Sequence, residues 1–242
     1  MSGMRKDNDM RILISNDDGI FAPGLMALVR AFSAAGHTVY VAAPDSQRSA
    51  ASHSMTLFQP LTARARAVEG AEKAWAIDGT PVDCVKLAVK TLCPEVEFVI
   101  SGVNHGYNAG SDVLYSGTVG AALEAVMNGV PAIAFSAREN GNPGAAEAYL
   151  PVVLEALLAR PAEPGRVWNV NFPDCAAAQC KGVLYGRTPT ACSFYDNDYV
   201  RTGDALSIRV TNPGPDRCKE GSDIHAVLHG YVSVGAIRSP LF

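Results

Sequence analysis

The chain has 242 residues, enough for one large domain or two small ones. Hydrophobic residues make up 48% and charged residues 18%, which provides a sizeable core and excludes general disorder. A formal net charge of −4 argues against non-specific binding to a nucleic-acid polymer, so any small anionic ligand would need local positive character from a metal or from backbone N–H groups.

The opening "MSGMRKDND" is polar and has no apolar core of its own. Residues 1–9 are therefore expected to be a disordered extension and not a targeting segment, with a single domain over 10–242. Arg11 to Ser15 reads as a buried strand. "PGLMALVRAFSAAG" follows, with Leu25, Leu28, Val29 and Phe32 at helical spacing and Gly36 as the stop. Thr38 to Pro44 is a second strand, and strand–helix–strand order implies a parallel pair with a right-handed crossover. The Ser-rich stretch 45–60 is long for a plain connection, which makes it a functional loop or lid candidate.

Ala74 to Ile77 is a short strand. A helix then opens with Thr80 as N-cap, Pro81 in the first turn and Asp83 completing a variant capping box. Phe98 to Ser101 is a core strand, and Gly102 to Gly117 a Gly/Asn loop. "TVGAALEAVMNG" is a helix, "PAIAFSA" a strand, "GAAEAYLPVVLEALLA" a helix and "RVWNVNFP" a strand. Up to about residue 173 the alternation is plain α/β. Beyond residue 180, "KGVLYGRT", "SFYDNDYV" and "ALSIRVTNP" read as extended segments, with an arm expected over about 185–220. A short helix near "SDIHAVLHG" and the strand "YVSVGAI" close the chain.

The six cysteines, Cys84, Cys93, Cys175, Cys180, Cys192 and Cys218, form no C-x-x-C pair and are expected to be reduced thiols in a cytoplasmic compartment. No apolar run is long enough to cross a bilayer, so no membrane association is expected.

In open parallel sheets ligands bind beyond the carboxyl ends of the strands. Three polar loops follow strands here. The first holds Asp17 and Asp18 with Gly19. Adjacent carboxylates at the end of a buried strand suit a hard cation such as Mg²⁺ or Mn²⁺, or else form an ordinary solvated turn. The second holds Ser49, a possible hydroxyl ligand or a plain loop serine, and Arg48, which could meet a phosphate or only solvent. The third holds Asn104 and Asn108, whose amide oxygens could ligate a cation or only form turns. His105 and His53 read as surface histidines before they read as bases. Ser116, Gly117 and Thr118 precede a helix, so their N–H groups could cradle a phosphate, or Ser116 or Thr118 could simply cap it. A Walker-type phosphate loop, a G-x-S-x-G elbow and a Ser/His/Asp set are absent.

In order along the chain, "ILISNDDGIFAPG", "VAAPDSQRSAAS", "DGTPVDCV", "SGVNHGYNAGSDVLYSGTVGAA" and "GYVSV" resemble the survival protein E (SurE) family of metal-dependent nucleotidases, over roughly residues 10–237. The resemblance implies a Rossmann-like α/β core with a mostly parallel sheet, and a C-terminal β-rich extension used to form dimers or tetramers. It implies a divalent metal, Mg²⁺ or Mn²⁺, and hydrolysis of nucleoside 5′- and 3′-monophosphates to nucleoside and inorganic phosphate, with short polyphosphate sometimes accepted. It places the metal ligands on Asp17, Asp18, Ser49 and Asn104, and the phosphate-binding turn on Ser116, Gly117 and Thr118. Asp17 and Asp18 are the candidate catalytic residues, with Asp18 as a candidate proton carrier, and Asn104 also faces substrate. Two other readings stand beside this one. A haloacid-dehalogenase-type phosphatase would use an aspartyl nucleophile, but it needs D-x-D where this chain has adjacent carboxylates. A non-catalytic nucleotide or phosphate sensor would share the fold.

Overall fold

The structure is a computed structural model and describes residues 9–211, 218–239 and 241. Strand β1 (Arg11–Ser15) leads to helix α1 (Pro23–Ala34) and strand β2 (Thr38–Pro44). Then come β3 (Ala63–Arg66), β4 (Lys73–Ile77), α2 (Pro81–Leu87), β5 (Phe98–His105), α3 (Gly117–Met127), β6 (Ala132–Ala137), α4 (Gly144–Leu158) and β7 (Arg166–Phe172). The last elements are β8 (Val183–Arg187), β9 (Asp196–Thr202), β10 (Ala205–Thr211), α5 (Asp223–Leu228) and β11 (Val232–Arg238).

A nine-stranded sheet has the order β3-β4-β2-β1-β5-β6-β7-β11-β8. Its middle, from β4 to β7, is parallel throughout, and antiparallel pairs occur at β3–β4 and β7–β11. This is the expected mostly parallel α/β fold, flanked by helices on both faces. In β1 the pleat sends Ile12 and Ile14 to one face, where they meet Leu25, Leu28, Val29 and Phe32 of α1. Leu13 goes to the other face and joins Cys84 and Val85 of α2 with Val119, Ala122 and Val126 of α3. Coverage on both faces is why β1 reads as a continuous apolar run. Each such large side chain contributes about 1.5–3 kcal/mol of burial.

The expected capping box at α2 is present: Thr80 Oγ1 accepts from Asp83 N at 3.1 Å, and Asp83 Oδ2 accepts from Thr80 N at 2.9 Å. Other expectations change. β3 is an addition to the expected elements: "ARAR" alternates, but its apolar positions are only small alanines and the strand is largely exposed. β5 does not stop at Ser101: the chain bulges at Gly102, where φ is +135°, and resumes pairing with Asn104 opposite Ser136. Asn104 therefore sits on a strand end and not in a loop. Asp9, expected in the disordered extension, accepts from Thr38 N at 3.0 Å; residues 1–8 lie outside the described residues.

The extended segments after residue 180 divide in two. β8 joins the main sheet as its edge strand beside β11, so residues 185–187 belong to that sheet and not to an arm. β9 and β10 form a separate two-stranded antiparallel sheet, and residues 212–217 of the expected arm lie outside the described residues. Among the described residues no helix is long and apolar enough to cross a membrane.

Candidate active site

β1 ends in a turn that Asn16 ties together. Its buried side chain donates from Nδ2 to Gly19 O at 3.0 Å and accepts from Gly19 N at 3.2 Å. Gly19 sits at φ +105°, a conformation that favours glycine. The turn sends both following carboxylates beyond the carboxyl end of the sheet.

Asp17 is 5% exposed. Thr118 Oγ1, in the first turn of α3, donates to its Oδ1 at 2.6 Å, and Thr118 N–H also faces the carboxylate. Burial pushes the Asp17 carboxyl up to about 6; the Asp18 charge adds to this, and the Thr118 hydrogen bond opposes it. Gly117 lets the helix start come so close, since a Cβ there would lie 3.1 Å from Asp17 Cβ and Oδ2.

Asp18 accepts from His105 N at 3.1 Å and from Gln47 Nε2 at 3.5 Å. The same Gln47 amide donates to Ser49 Oγ at 3.0 Å, so Gln47 bridges two of the expected ligands. Asn104 donates from Nδ2 to Gly106 O at 2.8 Å, which leaves Oδ1 as the atom that could meet a cation, one residue from the His105 N–H that holds Asp18. Ser116 is the N-cap of α3, with Oγ accepting from Val119 N at 3.0 Å. Of the two capping candidates the structure picks Ser116, and Thr118 turns to Asp17 instead.

Asp17, Asp18, Ser49 and Thr118 thus form one connected group, with Asn104 beside it. Asn108 stands apart as a structural residue: its Nδ2 donates to Ser136 Oγ at 2.9 Å, and its carbonyl accepts from Asn169 and Asn171. Arg48 pairs with Asp45 at 3.5 Å, and its backbone N–H donates to Asp17 O at 2.7 Å. His105 contributes its backbone and not its ring. His53, expected at the surface, reaches the buried Glu124. The stretch 45–60 is not a free lid: Ser52 N and Oγ donate to Tyr115 O and Leu114 O, and Thr56 Oγ1 donates to Asp83 at 2.7 Å. Sequence reasoning missed Asn16 and Gln47. The only signal for either was an amide side chain flanking an expected ligand.

Asp17 and Asp18 form no ion pair with a basic side chain among the described residues. Adjacent carboxylates, one of them buried, therefore have hydrogen bonds but no basic side chain to balance their charge among the described residues. Two carboxylates with a hydroxyl and an amide oxygen make an all-oxygen donor set, which suits a hard divalent cation. No group of three or more His, Cys, Asp or Glu is assembled among the described residues, so they build no soft-metal cluster.

The profile of the family described as SurE, survival protein SurE, matches residues 12–193. The 5′-nucleotidase SurE of Desulforudis audaxviator (strain MP104C) is 51% identical over 248 residues, covering 96% of this chain and 93% of the relative. The 5′-nucleotidase SurE of Geobacter sulfurreducens is 42% identical over 240 residues, covering 96% and 89%. Among solved structures, the SurE protein from Aquifex aeolicus superposes with a TM-score of 0.79 at 34% identity, covering 94% of this chain and 93% of that one. The fold, the carboxylate turn at the end of β1 and these full-length matches agree, and the chain belongs to the survival protein SurE family.

Proposed function

We propose that the chain is a divalent-metal-dependent 5′-nucleotidase, a phosphomonoesterase acting on nucleoside 5′- and 3′-monophosphates and on short polyphosphate. One observation carries this reading: the buried Asp17 and its neighbour Asp18, without a basic partner among the described residues, abut the start of α3. Relatives named 5′-nucleotidase SurE support it.

Asp17, Asp18, Ser49 and Asn104 would hold the cation, Mg²⁺ or Mn²⁺. When bound, such a cation supplies Lewis-acid charge to a phosphate oxygen and to water. The chain's own residues do the rest. Thr118 fixes the Asp17 carboxylate, and Gln47 aligns Asp18 with Ser49. The N–H groups of Gly117 and Thr118 lie at the positive end of α3, where phosphate charge is favoured, whereas Ser116 N donates to Val113 O at 3.4 Å. Asp18 is the candidate to carry a proton, being closer to solvent than Asp17. A homodimer or tetramer is supported by the exposed Tyr199, Leu206 and Ile208 of the β9–β10 hairpin. A cytoplasmic location agrees with six cysteines that form no disulfide.

The test is phosphate release from AMP and from the other monophosphates with Mg²⁺, Mn²⁺ or EDTA. Metal-dependent turnover abolished by EDTA is the expected result. Metal-dependent binding without turnover would leave a sensor, and a phosphoaspartate trapped from labelled substrate would point to an aspartyl nucleophile.

A further inference from the structure

Helix α3 holds two carboxylates that belong to different parts of the molecule. In its first turn Thr118 grips Asp17. Further along, its own Glu124 is 4% exposed and is met by three side chains. His53 Nε2 lies 3.0 Å from Oε2, and Lys86 Nζ lies 2.9 Å from Oε1. Asn128 Nδ2 donates to Oε1 at 2.9 Å. Burial alone would raise the Glu124 carboxyl, but the bonds from His53, Lys86 and Asn128 outweigh it and hold it down at about 2.

Two of these partners belong to the helical layer: Lys86 to α2 and Asn128 to the end of α3. His53 does not. It belongs to the stretch that carries Gln47, Arg48 and Ser49. The adjoining Ser52 carbonyl lies against Gly120 of α3, where a Cβ would come within 2.4 Å of it. The His53 side chain is 32% exposed, so apolar burial gives it little reason to be held there. Ser49 itself is exposed, and its side chain is bonded, among the described residues, to Gln47 of the same segment. The segment is fastened at both ends: beside Ser49, Arg48 N donates to Asp17 O at 2.7 Å, and further along Ser52 bonds Leu114 and Tyr115 while His53 reaches Glu124 of α3.

We propose that Glu124 is a positioning residue for the cation site, acting through His53. One rigid helix then contributes to both halves of the site: Thr118 sets Asp17, and Glu124 anchors the far end of the segment bearing Ser49, whose near end Arg48 ties to Asp17. This rests on the metal-dependent reading given above. Losing a hydrogen bond to a charged group loosens the segment, and the loss reads out as cation affinity and not as altered chemistry.

The test compares His53→Ala with His53→Gln, which keeps an N–H donor for Glu124. His53 is partly exposed, so neither change empties the core. Mn²⁺ binding is followed by the electron paramagnetic resonance of the free ion, and hydrogen exchange is followed over residues 47–53. H53A is expected to bind Mn²⁺ about tenfold more weakly. Residues 47–53 should exchange faster while α3 and the sheet do not. Turnover at saturating Mn²⁺ should stay within about twofold, and H53Q should restore most of the affinity. Equal Mn²⁺ affinity in H53A and wild type overturns the positioning role alone. A loss in H53Q as large as in H53A also overturns it, since imidazole packing would then be the cause. A wild type that binds no Mn²⁺ overturns the metal reading beneath it.

Discussion

The Thr118 hydroxyl donates to Asp17 Oδ1 at 2.6 Å, and this bond joins the start of α3 to the end of β1 across 101 residues of sequence. It is the strongest described contact that favours the ionised carboxylate in a site where burial disfavours it. Thr118→Val keeps the shape and deletes the donor. A hydrogen bond to a charged group is worth about 1.5–3 kcal/mol, so Mn²⁺ affinity at neutral pH should fall roughly 10- to 100-fold. Thr118→Ser should retain most of it. Titration calorimetry with Mn²⁺ on the three proteins checks the order.

Asp17→Asn and Asp18→Asn should each remove most activity and leave the fold intact, because each deletes a charged ligand. Their effects on the metal-free protein should differ in size. Asp17 has a folded pKa raised from 3.8 to about 6, so its ionisation costs stability as pH rises across that window. Asp17→Asn removes this cost and should stabilise the metal-free protein at pH 7 by on the order of 1–3 kcal/mol. Denaturant melts in EDTA measure this. Near wild-type turnover of both variants at saturating metal would remove the ligand assignment.

A second buried acid gives a pH signature away from the site. Asp223 accepts from Gly110 N at 3.0 Å and from Ile224 N at 2.8 Å, and so holds the loop between β5 and α3 against α5. Burial pushes its carboxyl up to about 6, and the bonds from Gly110 and Ile224 oppose this only in part. The folded pKa is raised, so the protein binds more protons folded than unfolded between about pH 4 and 6. Its contribution to stability therefore falls as pH rises through that interval and levels off above it. Asp223→Asn keeps an acceptor for both N–H groups and cannot titrate. Urea melts at pH 4 to 7 should show a flatter profile in the variant, and equal slopes would mean that Asp223 titrates normally.

What the sequence showed of the site follows from which interactions are local. The strand ending on Asp17 and Asp18, the Thr80–Asp83 capping box and the Ser116 cap could all be read from residues a few positions apart. The partner of Thr118 could not, because a threonine near a helix start reads equally well as a cap until the fold brings Asp17 to it. Gln47 and His53 were hidden for the same reason: their partners Asp18 and Glu124 lie 29 and 71 residues away. β3 escaped because its alternation rests on two small alanines, and an exposed edge strand buries too little to need larger apolar residues. Asn108 looked like a ligand because an amide in a glycine-rich loop gives no sign that its hydrogen-bonding groups will be taken up by Ser136, Asn169 and Asn171.

The arm supplies the last prediction, and its boundaries must be redrawn first. Phe194, within the expected arm, is 2% exposed and packs edge-on against Tyr107 of its own chain, and Tyr195 Oη accepts from Tyr107 N at 2.9 Å. Deleting residues 190–220 would strip that cluster and confuse misfolding with dissociation. The informative residues lie further out. Tyr199 pairs with Ile208 across the hairpin, and Leu206 is two residues from Ile208, so all three share one face. They are 68%, 60% and 57% exposed respectively, on a two-stranded sheet of a kind that is marginal in water by itself. Covering this face with another copy of the chain would stabilise it. Wild-type protein is expected to sediment as a homodimer or larger at micromolar concentration, and the double variant Leu206→Asp, Ile208→Asp as a smaller species. Near-ultraviolet circular dichroism should report the Phe194 and Tyr107 cluster unchanged in both. A monomeric wild type, or a variant with the same sedimentation coefficient as wild type, would show that this face carries no subunit contact.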